Sequence, residues 1–228
     1  MEAYLDNSAT TRVDAQVQEL MKKLMDVDFG NPSSRHQKGV VAEGYIKEAR
    51  QKIAATLKVD PKELIITSGG TESNNMALIG TALAAKRKGN HIITTAVEHP
   101  SVKATASFLE EQGFRITFLS VDSRGQISLE ELKEALTPDT ILVSIMYVNN
   151  EIGTIQPVEE AAKLVHATVP GAVFHVDAIQ AYGKVLIRPK QQGIDLLSVS
   201  SHKFHGPKGA GFLYCSSKVN LHPIIFGG

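Results

Sequence analysis

From Glu63 onward, short apolar runs alternate with amphipathic stretches, and this rhythm constrains the fold more than any other feature of the chain. Runs at 64–67, 92–95, 116–121, 141–148, 173–176, 196–199 and 211–214 have the length and apolar character of strands. Between them, helical spacing covers 72–87, closed by Gly89, then 101–112 and 158–168, with a short helix capped by Ser128 and Glu131 in the capping-box position. Such alternation predicts an α/β fold, a mostly parallel sheet with helices on both faces. Ahead of it, Val13, Val17, Leu20, Met21 and Leu24 mark an amphipathic helix ending near Phe29-Gly30. A second helix is expected over 41–58, although Gly44 within it costs about 1 kcal/mol relative to alanine. Strand order is not legible at this stage, and no repeat or linker divides the chain.

Composition narrows the partners. Twenty-four basic and 24 acidic residues cancel, so nothing points to nucleic acid or to an anionic membrane. No apolar run approaches the length of a membrane span, and the first residues lack a signal-peptide pattern, so a cytoplasmic protein is expected. The single cysteine, Cys215, permits no internal disulfide. A length of 228 residues suits one large domain, or one and a fraction.

Polar residues cluster where the strands end, the edge at which α/β proteins place their chemistry. After 196–199 comes Ser200-Ser201-His202-Lys203, then a Gly/Pro turn; a partly desolvated Lys203 beside another cation would be an amine nucleophile, or else a solvated loop lysine. Ser68-Gly69-Gly70-Thr71 opens a helix, and offers either a phosphate seat built from N–H groups and the Thr71 hydroxyl or a plain capped turn. His99 follows another strand, as a ring stacker and proton carrier or as a structural helix start. Asn149 and Asn150 would hold a polar ligand in plane or form an Asx-turn. Asp177 ends a buried apolar run, a costly place for a carboxylate without a cation or donors. A protonated pyridine nitrogen would satisfy it, with Gln180 near a ring oxygen; a helix cap would satisfy it too. No histidine or cysteine spacing fits a metal, and neither a triphosphate-binding loop nor a dinucleotide fingerprint is present.

Phosphate seat, ring stacker, pyridine-facing carboxylate and nucleophilic lysine together fit pyridoxal 5′-phosphate. The segments Tyr4-Leu5-Asp6-Asn7-Ser8-Ala9-Thr10-Thr11, Gly30-Asn31-Pro32-Ser33-Ser34, Thr67-Ser68-Gly69-Gly70-Thr71-Glu72-Ser73-Asn74-Asn75, Glu98-His99 and Ser200-Ser201-His202-Lys203 resemble cysteine desulfurases of the class V aminotransferase-like group. The resemblance implies the large cofactor domain of the aspartate aminotransferase-like fold over 16–228, with 1–15 contributing to the active site. By position it makes Lys203 the Schiff-base lysine and Asp177 the pyridine partner, with Gln180 and Asn149 near the ring hydroxyl and substrate side. His99 would stack on the ring, and Gly70, Thr71, Ser200 and His202 would hold the phosphate. It further implies L-cysteine as substrate, a homodimer, and an iron–sulfur scaffold or other sulfur acceptor as partner. Family members run to nearly twice this length, so a chain incomplete in its C-terminal domain is expected. Cys215 does not match the family's sulfur-accepting cysteine and is expected to be a structural thiol. Other class V activities, such as selenocysteine lyase or aminotransferase, and a non-catalytic partner-binding remnant are the competing readings.

Overall fold

The computed structural model describes residues 3–227; Met1, Glu2 and Gly228, at the outer ends of the expected 1–15 and 16–228 segments, lie outside it. All seven apolar runs become strands of one sheet: β1 (Leu64–Thr67), β2 (His91–Thr95), β3 (Arg115–Leu119), β4 (Thr140–Met146), β5 (Val173–Asp177), β6 (Leu196–Ser200) and β7 (Gly211–Cys215). Their spatial order is β1-β7-β6-β5-β4-β2-β3. The pairs among β2 to β6 are parallel, and β7 runs antiparallel to both its neighbours. Because β1 points the same way as β6, the carboxyl ends of six strands and the start of β7 share one edge.

Burial on both faces follows from the crossovers. Helices α3 (Gly70–Ala85) and α4 (Pro100–Glu111) cover one face, where Leu78, Ala82 and Leu109 pack on Ile92, Leu142 and Leu213. The end of α2 (Gln37–Leu57), α5 (Leu129–Ala135) and α6 (Val158–Thr168) cover the other, against Ile93, Val143, Phe174 and Leu197. β4 is buried at every position, which explains its unbroken apolar sequence.

Several boundaries differ from expectation for local reasons. β3 and β4 stop two residues early, and Val121 and Val148 instead make isolated bridges to Ile127 and Ile155. α1 (Ala15–Asp26) ends before Phe29, and α2 begins at Gln37 rather than 41. α3 starts at Gly70 and ends at Ala85, well before Gly89. Ser128 caps α5 by accepting the Glu131 N–H, but the Glu131 carboxylate turns to Ser120, so the expected capping box is only half formed. A complete one joins Asp60 and Glu63. The four-residue α7 (Pro189–Gln192) had no counterpart in the pattern reading.

Candidate active site

At the shared carboxyl edge lies a cavity of about 410 Å³. β1 leads to Gly70 and Thr71, β2 to His99, β5 to Asp177 and Gln180, and β6 to Ser200, His202 and Lys203, and all of these line it. Met146, Val148 and Ile179 supply apolar wall. Of the expected site residues, only Asn149 stands back. Its amide donates to Val97 O at 3.1 Å and accepts the N–H groups of Glu151 and Ile152, so it shapes the loop while Asn150 and Glu151 face the cavity.

Lys203 sits on a 3-10 turn directly after β6. Its Nζ donates to the carbonyls of Ser8 and Ala9, at 2.6 and 2.8 Å. The N-terminal segment is fastened to the same turn: Thr11 N–H donates to His202 O, and His205 N–H to Thr11 Oγ1. Burial lowers the Lys203 pKa, and the nearby Lys184 ammonium lowers it further. The second cation is thus Lys184, not the adjacent imidazole. Lys184 also donates to Gln180 Oε1 at 3.0 Å, and Gln180 Nε2 donates to Ser8 O.

On the opposite wall Asp177 is almost wholly buried. Burial raises its pKa, opposed by the N–H of Ile179, by Asn74 and, less, by the nearby His99 and Lys203. Asn74 Nδ2 donates to Asp177 Oδ2 at 2.8 Å and to Ser101 Oγ at 2.9 Å, and Ser101 Oγ lies 2.8 Å from His99 Nδ1. Asp177 thus faces the cavity and accepts the N–H of Ile179 at 3.0 Å; that N–H opens a turn and not the helix that the cap reading expected. Behind His99, Glu98 is buried and accepts from Thr95 Oγ1 and Met146 N, both at 2.8 Å. Burial, then the Asp177 charge, pushes its pKa up to about 8. Sequence reasoning singled out neither Ser101 nor Glu98, nor Asn74 for any role. An asparagine on a helix face that also buries Ser73, Ala77, Leu78 and Thr81 was a weak signal.

The phosphate seat is a helix start. Gly69 takes φ +148°, and a side chain on Gly70 would collide with the Ile179 side chain in the turn after β5, so the glycines serve chain geometry and close packing as well as ligand approach. The N–H groups of Gly70, Thr71 and Glu72 and the hydroxyls of Thr71 and Ser200 make no hydrogen bond to the described residues. These free donors at one end and a buried acid at the other suit the phosphate and the pyridine nitrogen of pyridoxal phosphate. Among the described residues no group of metal-ligating side chains is present, and no helix is long and apolar enough to cross a membrane. Cys215 pairs with Leu196 at the far end of β6, and burial pushes its thiol up to about 11.

This geometry defines a class of enzyme, and comparison with known proteins gives the same class. The aminotransferase class-V profile matches residues 3–228, and the chain belongs to that family, whose enzymes depend on pyridoxal 5′-phosphate. It is 51% identical over 225 residues to a putative cysteine desulfurase IscS 1 of Bacillus subtilis, covering 99% of this chain and 59% of that protein. With the cysteine desulfurase IscS of Dictyoglomus turgidum the identity is 49% over 227 residues, covering 100% and 57%. A NifS-like protein of known structure superposes with a TM-score of 0.98 at 43% identity, over all of this chain and 62% of that one. The structure of SspA in complex with cysteine gives 0.95 at 40% identity, over 100% and 65%. The chain thus spans well under two thirds of the curated relatives it matches.

Proposed function

We propose that this chain is the cofactor-binding portion of a cysteine desulfurase, with L-cysteine as substrate. The observation that carries the reading is a half-desolvated Lys203 sharing one cavity with the buried Asp177 and a helix start rich in free donors. The names of the relatives and the cysteine bound to SspA support the choice of substrate. In this reading Lys203 is the amine that carries the cofactor, and Asp177 holds the pyridine nitrogen protonated. The Gly70–Thr71 helix start, Ser200 and His202 take the phosphate, Gln180 lies near the ring hydroxyl, and Asn149 shapes the loop on the substrate side. His99 stacks on the ring and moves protons. When bound, pyridoxal phosphate supplies an electron sink for charge developed at the substrate α-carbon. Lys184 and the enclosure of Lys203 keep more of its amine neutral, and therefore reactive, than an exposed lysine would be.

Residues 1–15 contribute to the active site and 16–228 form the large domain, a division supported by the Ser8 and Ala9 carbonyls on Lys203. Sulfur leaves L-cysteine as a persulfide on an enzyme thiolate, with alanine as the other product. Cys215, remote and with its thiol pushed up to about 11, is unsuited to be that thiolate, which we place in the part of the relatives' length that this chain does not span. We further place the whole enzyme in the cytoplasm as a homodimer that passes sulfur to an iron–sulfur scaffold or another acceptor, in keeping with the IscS relatives.

The test is borohydride reduction after incubation with pyridoxal phosphate, followed by peptide mass mapping. A pyridoxyl group on Lys203 is expected. Labelling scattered over Lys208 and surface lysines, with Lys203 unmodified, would overturn the assignment.

A further inference from the structure

His99 is held by its Nδ1. As the N-cap of α4 it accepts the Ser101 N–H at 3.1 Å, and the Ser101 hydroxyl lies closer still, at 2.8 Å. That hydroxyl oxygen already accepts one N–H of Asn74. The other N–H of the same amide goes to Asp177 Oδ2, while Asn74 Oδ1 is fully enclosed with no partner among the described residues. Turning the amide over would let Ser101 donate to it instead, but it would aim an acceptor oxygen at the Asp177 carboxylate. Both Asp177 oxygens act as acceptors here, Oδ1 from the Ile179 N–H and Oδ2 from Asn74, and this fixes which way Asn74 faces. With an Asn74 N–H supplied to its oxygen, the Ser101 hydroxyl proton is left to point at His99 Nδ1.

We infer that Asn74 is a positioning residue which, through Ser101, locks neutral His99 as the tautomer with its proton on Nε2, so that the ring presents a donor to the cavity. One amide thereby couples the carboxylate on one wall to the hydrogen-bonding character of the imidazole beside it. The part this plays in catalysis rests on the cofactor reading above; the tautomer itself does not.

The experiment is long-range proton–nitrogen NMR of the full chain, labelled with ¹⁵N-histidine, at mildly alkaline pH. His99 is assigned by the signals lost in H99Q. Wild type is expected to show widely separated ring-nitrogen shifts, with Nδ1 unprotonated and Nε2 carrying the proton. In N74A the two shifts should move toward each other as the second tautomer appears. S101A, a milder change that leaves the backbone donor in place, should show the same trend, and S101T should restore the wild-type pattern. A wild-type proton on Nδ1 would overturn the inference. So would wild-type shifts in a folded S101A or N74A, because the backbone N–H alone would then suffice. The borohydride assay on the same samples separates the two readings. A single tautomer with no label on Lys203 removes the cofactor assignment and leaves this inference standing, and label with mixed tautomers does the reverse.

Discussion

The two ends of the parallel strands each open into a cavity lined by ionisable groups, and they use those groups in opposite ways. The amino-end hollow is larger, about 610 Å³ against about 410 Å³. Yet both of its carboxylates already have basic partners. Lys190 pairs with Glu63 at 2.8 Å, and His166 lies 3.4 Å from Asp195, which also accepts the Phe174 N–H. Glu63 takes two further N–H groups, from Asp60 and Ser217. At the carboxyl end, Lys203, the Gly70–Thr71 donors and Asp177 converge on space instead of on complementary charges. Volume therefore does not mark the site. Groups held at a cost, and aimed at a common point, do.

The largest effect should separate the two ends outright. K203A is expected to lose the specific pyridoxyl adduct completely, while K190A, at the other cavity, keeps it; peptide mapping reads both. Equal labelling of wild type and K203A would erase the distinction.

Next in size is a contrast between two buried carboxylates. Glu98, behind the site, is pushed up to about 8 by burial and by Asp177. Its folded pKa exceeds the unfolded value near 4.5, so the unfolded state releases its proton first. Wild type should lose stability as pH rises from about 4.5 to 8, by on the order of 4 kcal/mol at most. E98Q mimics the neutral acid and should abolish that loss. Burial also raises Glu63, but the Lys190 hydrogen bond and two backbone donors outweigh it and lower its pKa overall. E63Q should therefore destabilise near neutral pH by roughly 1–3 kcal/mol, and the deficit should vanish as pH falls through the carboxylate range. Urea midpoints across pH measure both. His175 and His91, lowered to about 3 and about 4 chiefly by burial, add a common background that destabilises below about pH 6.5. Parallel pH curves for E98Q and wild type would show Glu98 to be ionised in the fold.

The sequence carried these assignments unevenly, for physical reasons. β1 and α6 fall at their expected bounds because turn-formers and a proline delimit them. The start of α2 was missed because its N-cap, His36, makes no side-chain capping bond and leaves no signature. Lys203 and Asp177 were legible because an ionisable residue at the end of an apolar run is expensive. Asn74 and Ser101 meet only because α3 packs on α4, a pairing that a one-dimensional pattern does not contain. The acceptors for Lys203 are main-chain carbonyls nearly two hundred positions away, and a carbonyl has no residue type to read. Strand order was hidden likewise, since β7 inserts between β1 and β6.

The smallest effect asks whether position, and not charge alone, matters to the lysine. Lys184 is the second cause of the lowered Lys203 pKa, after burial. K184A removes a like charge, so the Lys203 pKa should rise and less of its amine should be neutral at a given pH. The pH midpoint of adduct formation should move upward by less than about one unit, the scale of a solvated charge pair. K190A removes an equal charge from the other end, beside Glu63, and should leave that midpoint unmoved while costing about 1 kcal/mol of stability from an ion pair whose lysine is half exposed. The rate of absorbance change on adding pyridoxal phosphate, followed across pH, measures the midpoint, and urea melts measure the stability. Equal shifts in K184A and K190A would mean that net charge acts on Lys203 from anywhere on the molecule. A shift in K184A alone places the effect beside Lys203, whose partial burial leaves that neighbouring charge little screened.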